Sequence, residues 1–186
     1  MASGWWGRAK AKVRWERARL RSARNVRAFG AAGPGCAVHG ASTITGADRI
    51  VLGANVHIGE GSFIRAEGGL VIGDNTHISR NLVLYTMNHE YEGAALPYDH
   101  TMRYQPVEIG RNVWIGMNVC IAPGTVIGDG AIVAMGTTVF GEVPPLAIVG
   151  SQPWRTIGTR DADRYEALDR DRRYGGSGGH PFAPPS

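Results

Sequence analysis

A chain of 186 residues, 43% hydrophobic and 19% charged, is long enough for one domain with a sizeable core and too apolar to be disordered throughout. No apolar run approaches the ~20 residues that cross a bilayer, no signal-type apolar stretch opens the chain, and Cys36 and Cys120 make no disulfide framework, so a cytoplasmic protein is expected. The net charge of +4 is uneven: residues 8–27 hold nine basic residues against Glu16 alone, a segment of +8, which leaves −4 elsewhere and excludes a uniformly basic nucleic-acid binder.

The first expected element is a helix over residues 5–28, rich in Ala, Arg and Leu, within a basic arm spanning 1–31. "GAAGPG" at 30–35 ends it. Trp5, Trp6, Ala9, Val13 and Leu20 share roughly one face of that helix. The arm is expected to cap the element that follows. The competing expectations are peripheral contact with the inner membrane surface and an acidic protein partner.

A repeat begins after the arm. Aliphatic anchors recur at intervals of six or eight: Val38, Ile44, Leu52, Ile58, Ile64, Ile72, Ile78 and Leu84. They resume as Ile109, Ile115, Ile121, Ile127, Val133 and Val139, now at sixes throughout. A period of six fits neither a helix nor a lone amphipathic strand. It fits a short strand plus a tight turn, three of which make one triangular coil of a β-helix. The expectation is an all-β solenoid of about six coils over 32–150, with the anchors inside and Gly, Asn and Asp at corners needing positive φ. The two extra residues in each early 20-residue coil are expected to form a bulge at one corner. Beyond it, residues 151–174 leave the prism and include a short polar helix capped by Asp161 or Asp163. The Gly- and Pro-rich tail over 175–186 is expected to be disordered.

One excursion, residues 85–108, breaks the rhythm. It gathers Asn88, His89, Tyr91, Tyr98, His100, Arg103 and Tyr104, and a long loop in a compact domain is usually functional or disordered. Composition alone leaves the role of His89 open. His57 and His77 stand one residue before their anchors in successive coils. They suit a solvated or acceptor-facing ladder better than zinc, for which no third matching ligand is seen.

"NH" opening the loop, followed by "PVEIGRNVWIGMNVCIAPGTVIGDGAIVAMGTTV" and "VPP", resembles the left-handed β-helix acyltransferases, above all the galactoside, maltose and nodulation-type O-acetyltransferases. The resemblance implies a left-handed parallel β-helix, a homotrimer with sites between subunits, and acetyl-CoA as donor without a metal. It implies that His89, opened by Asn88, is the catalytic base, and that the amide of Met117 meets the thioester oxyanion. It places Trp114, Gly116, Ala134, Met135, Thr137 and Thr138 along the coenzyme groove. The family's phosphate-binding lysine is replaced here by Gly141, so Arg155, with Arg160 second, is the expected substitute. Tyr98, His100 and Arg103 are expected either to bind the acceptor or only to order the loop. That acceptor is a sugar or glycan hydroxyl; the alternative is a small molecule such as an antibiotic or a nucleotide-linked amino sugar. A γ-carbonic-anhydrase-like hydratase or a non-catalytic scaffold is the alternative of another class.

Overall fold

The computed structural model describes residues 26–151, 159 and 161–173. Most of the expected basic arm, Arg155, Arg160 and the tail over 175–186 lie outside the described residues. The chain forms two compact units: one made of residues through Thr86 with Gln105–Ser151, the other of Met87–Tyr104 with the C-terminal segment.

The first unit is a left-handed parallel β-helix. Its strands pair in parallel and form three sheets, with six strands on the first and second faces and five on the third, which is five coils and two sides of a sixth. The first face runs from Ala31–Ala32 through Ile50–Leu52, Leu70–Ile72, Val107–Ile109 and Val126–Ile127 to Glu142–Val143. The second stacks Ala37–Val38, His57–Ile58, His77–Ile78, Trp114–Ile115, Ile132–Val133 and Ile148–Val149. The third stacks Thr43–Thr45, Phe63–Arg65, Val83–Tyr85, Cys120–Ile121 and Thr138–Val139.

Anchors stack on anchors, Ile58 on Ile78 and Ile78 on Ile115, and nearly all are buried. Ile44, in the terminal coil, is only partly covered. Each face also turns a second residue inward, two positions before the anchor, because side chains alternate along a strand. Leu70, Val56, Val113, Leu82, Val119 and Thr137 fill the prism in this way. The residue between the two points outward. At the N-terminal end, Phe29 is 9% exposed and, with Val26, packs against the core of the first coils.

Two kinds of corner residue separate here. Asn55, Asn75, Asn112, Asn81 and Asn118 take φ between 56° and 59°, the left-handed region that asparagine tolerates. Their side chains also bridge coils, Asn55 to Asn75 at 3.1 Å and Asn81 to Asn118 at 3.0 Å. The glycines that follow the anchors have no such φ. They are required by close stacking: a Cβ at Gly116 would lie 2.5 Å from the amide nitrogen of Met135, and one at Gly73 would lie 2.6 Å from that of Arg111.

The two extra residues of the early coils do not form a bulge. They lie at the third corner, as the 3₁₀ turn Ala47–Arg49 in one coil and as a turn closed by Gly69 N–H to Ala66 O at 2.8 Å in the next. A widened corner leaves the strand ladders in register, whereas a bulge would interrupt one. The excursion leaves at this same corner, and Gln105 N–H to Thr86 O at 2.8 Å ties its ends.

Candidate active site

The excursion begins as an antiparallel ribbon in which Met87, Asn88 and His89 pair with Tyr104, Arg103 and Met102. Asn88 accepts a hydrogen bond from the His89 amide at 2.9 Å through its own side-chain oxygen. Asn88 is exposed and His89 half-buried. The imidazole stacks on the ring of Tyr98, with centroids 3.8 Å apart and planes 16° from parallel. Its Nδ1 is buried and meets no hydrogen-bond partner among the described residues.

The rest of the loop is knotted around Asp99. Its carboxylate accepts from the amides of Ala94 and Thr101, each at 2.8 Å, and from the Thr101 hydroxyl. The Thr101 hydroxyl, these two amides and the nearby His100 hold the carboxyl down at about 2, against the opposing pull of burial. Arg103 pairs with Glu90 at 2.8 Å and lies over the ring of Tyr91 at 5.5 Å. Sequence reasoning missed Asp99 and Glu90; an Asp two residues before a Thr is the signature of an Asx or ST turn and could have flagged the first.

The C-terminal helix spans Ala162–Arg170, and Asp161 is its N-cap, accepting from Arg164 N–H at 2.9 Å. The Arg164 side chain donates to the carbonyls of Glu92 and Gly93. Leu96 donates its amide to Arg173 O, and Leu96 and Leu168 are both buried. The loop that presents His89 is thereby clamped by the chain's last described element.

On the β-helix, Trp114, Met117, Ala134 and Met135 gather on the second face and its following corner, in adjacent coils, and all four are exposed. Met135 is 67% exposed. Gly136 N–H donates to Met117 O at 2.8 Å, while the Met117 N–H makes no hydrogen bond among the described residues. Two expected groove residues differ. The Thr137 side chain is 3% exposed because it belongs to the inward file, so it offers a surface ligand no hydroxyl. Gly116 is buried and spent on coil stacking rather than left open to a ligand. Thr138 is exposed around the corner, on the third face beside Cys120.

The histidine file is longer than expected. His57 meets His77 edge-on at 4.7 Å, and His39 joins by stacking on His57 at 5.3 Å, with Nε2 3.1 Å from His57 Nδ1. His39 follows its anchor rather than preceding it, but its side chain lies along the same face. Burial, then the neighbours His77 and His39, lower the pKa of His57. Among the described residues no three His, Cys, Asp or Glu side chains converge to hold a metal ion. No described helix is long and apolar enough to cross a membrane.

Comparison with known proteins fits this geometry. Residues 106–141 match the bacterial transferase hexapeptide (six repeats), and residues 49–86 match the hexapeptide repeat of succinyl-transferase. Galactoside O-acetyltransferase of Escherichia coli (strain K12) is 33% identical over 134 residues, 66% of this chain. The chain spans 59% of the length of that relative. A hexapeptide-repeat acetyltransferase of Vibrio cholerae, solved with acetyl coenzyme A, is 27% identical with a TM-score of 0.66, covering 77% of this chain and 78% of its own. A maltose O-acetyltransferase of Clostridium difficile is 28% identical with a TM-score of 0.62, covering 74% and 73%.

Proposed function

We propose that this chain, a left-handed β-helix built of transferase hexapeptides and similar to acetyltransferases, transfers an acetyl group from acetyl-CoA to a sugar or glycan hydroxyl. The observation that carries the reading is His89, half-buried at the head of the excursion with Nε2 free to meet a hydroxyl. A neutral imidazole suits proton removal at neutral pH. In this scheme Nε2 takes the acceptor proton as the hydroxyl oxygen attacks the thioester carbon. The Met117 amide, which no carbonyl of the β-helix occupies, donates to the developing oxyanion. Collapse expels the thiolate, which recovers the proton as free CoA.

Trp114, Ala134 and Met135 provide an exposed, mostly apolar strip for the pantetheine arm, with Thr138 at its edge. Arg155, and behind it Arg160, is assigned to the phosphates. His100 and Arg103 are assigned to the acceptor. The active assembly is a homotrimer, supported by the outward valines of the first face, Val51, Val71 and Val126, each 41–47% exposed, whose file Glu108 interrupts between Val71 and Val126. The basic arm is read as a cap on the first coil, since Val26 and Phe29, at its C-terminal end, pack on the core.

The test is release of CoA thiol by the purified full chain on a panel of galactosides, maltosides, amino sugars and amine-bearing antibiotics. Turnover on sugar hydroxyls supports the reading, and turnover confined to amines replaces it with N-acylation. Bound zinc with no turnover of acetyl-CoA on any member sinks it. Sedimentation with anionic vesicles that vanishes on deleting residues 1–25 would move the arm from cap to membrane contact.

A further inference from the structure

A catalytic imidazole needs a fixed plane, because proton transfer is directional, and that plane is commonly set by a hydrogen bond to the nitrogen that does not react. His89 lacks this device: Nδ1 is buried, and no acceptor or donor reaches it among the described residues. What the ring does have is a partner face. Tyr98 lies nearly parallel to it in a stacked contact, at 3.8 Å between centroids and 16° between planes.

The position of Tyr98 is itself fixed from behind. It immediately precedes Asp99, which is buried and ties the amides of Ala94 and Thr101 through its carboxylate, while the Asp99 amide donates to Glu90 O. Glu90 immediately follows His89. Both members of the stack therefore hang from main chain that the Asp99 knot holds together. Gly93 completes it: a Cβ there would lie 2.1 Å from an Asp99 carboxylate oxygen, so the loop closes on the carboxylate only with glycine at that position.

The geometry points to Tyr98 as the positioning residue of the active-site histidine: its ring face orients the His89 imidazole in place of a hydrogen bond to Nδ1. This rests on the reading of His89 as the base, and it moves Tyr98 from the acceptor site to the second rank of the catalytic apparatus. It predicts that the aromatic face matters and the phenol hydroxyl does not.

The experiment compares Tyr98→Phe, Tyr98→Leu and Tyr98→Ala in the full chain by two readouts. The first is the proton NMR shift of the His89 ring, assigned by its loss in His89→Ala; a face-to-face aromatic ring moves it upfield, and no acceptor is needed. The second is thiol release from acetyl-CoA with methyl β-galactoside as probe. The upfield shift should persist in Tyr98→Phe and vanish in Tyr98→Leu and Tyr98→Ala. The kcat should stay near the parent value in Tyr98→Phe and fall about 100-fold in the other two, the usual penalty for a misplaced catalytic group, while the KM for acetyl-CoA is unchanged. Leucine keeps most of the bulk, so it decides the question if alanine loosens the loop. Tyr98→Phe as impaired as Tyr98→Ala overturns the proposal in favour of an acceptor contact by the hydroxyl. An unchanged ring shift in both Tyr98→Leu and Tyr98→Ala overturns it outright. If His89→Ala keeps full turnover, the reading of His89 as base fails instead, and the shift data still report whether Tyr98 holds the ring.

Discussion

His57 and His89 are both half-buried histidines, and the difference between them separates the β-helix from its excursion. His57 sits in a stack. Its Nδ1 meets His39 at 3.1 Å, its Nε2 meets Asn55 at 3.0 Å, and burial and neighbouring imidazoles lower its pKa. Both ring nitrogens are committed to residues of its own and the adjacent coil. His89 has no copy of itself above or below, and its order comes from a ribbon, a tyrosine face and the Asp99 knot, which leave Nε2 available. A repeat satisfies each group with the equivalent group one coil away, so it leaves little unspent. Reactive chemistry requires a place where that pairing is suspended.

Two substitutions probe the comparison at its strongest. His89→Ala should lower turnover about 100- to 10,000-fold, the usual cost of losing a general base, with no change in the thermal midpoint of the β-helix. Ile115→Ala, at a fully buried anchor, should do the reverse. It should cost about 2–5 kcal/mol of stability while each folded molecule keeps its turnover. Parallel melting curves and thiol-release assays decide the matter. A His89→Ala protein with normal turnover on a verified acceptor would end the distinction, as would an Ile115→Ala protein that is fully stable.

The division also explains what could be read from the sequence. The prism was legible because the aliphatic period of six is a direct image of its three faces, and Val38, Ile58 and Ile78 stack as spaced. The second inward file was not, because it mixes Val56, Thr76, Val113 and Ala131, which share an inward position but neither one size nor one polarity. Its spacing alone therefore does not reveal that the Thr137 side chain points inward. The glycines after the anchors suggested turns, yet the cause is the backbone of the next coil, a contact that no local pattern encodes. In the excursion, residue types announced a site, but which side chain holds which depends on long-range closure. Residue type alone leaves Tyr98 and Arg103 between acceptor contact and loop ordering, and their partners His89 and Glu90 are visible only in the folded loop.

A gentler way to separate the regions is acid. The folded carboxyl of Asp99 is depressed from 3.8 to about 2, so its contribution is fully present above pH 3.8 and is lost as pH falls through about 2. The excursion should remain protected from hydrogen exchange as pH falls from neutrality to about 4, then open toward pH 2. Asp99→Asn keeps the shape but loses the charge that attracts three donors, so the excursion should exchange faster at every pH, with the strands of the prism unaffected. An excursion that exchanges no faster in Asp99→Asn would show that the knot is incidental.

The smallest expected effect belongs to Arg103. Its guanidinium pairs with Glu90 and rests over Tyr91, but half of its side chain is exposed to solvent, at 50%. An exposed ion pair is worth about 0.2–1 kcal/mol, because each charge loses little by returning to water and salt screens the attraction. A cation over an exposed ring adds about 0.5–1 kcal/mol. As a brace alone, Arg103 contributes little, since the ribbon it stands on is already hydrogen-bonded and the Asp99 knot holds the Glu90 main chain without it. Arg103→Ala should then change turnover by no more than about fivefold, the factor that 1 kcal/mol represents, and added salt should shrink the difference. As an acceptor contact, the same guanidinium would act through a charge-assisted hydrogen bond worth about 1.5–3 kcal/mol. The acceptor KM would then rise about tenfold or more, at 1.4 kcal/mol per decade, with kcat and the KM for acetyl-CoA held. Steady-state kinetics of Arg103→Ala at two salt concentrations separates the two. A large, acceptor-specific rise in KM would support the assignment of Arg103 to the acceptor, and a small, salt-sensitive change would leave it a brace.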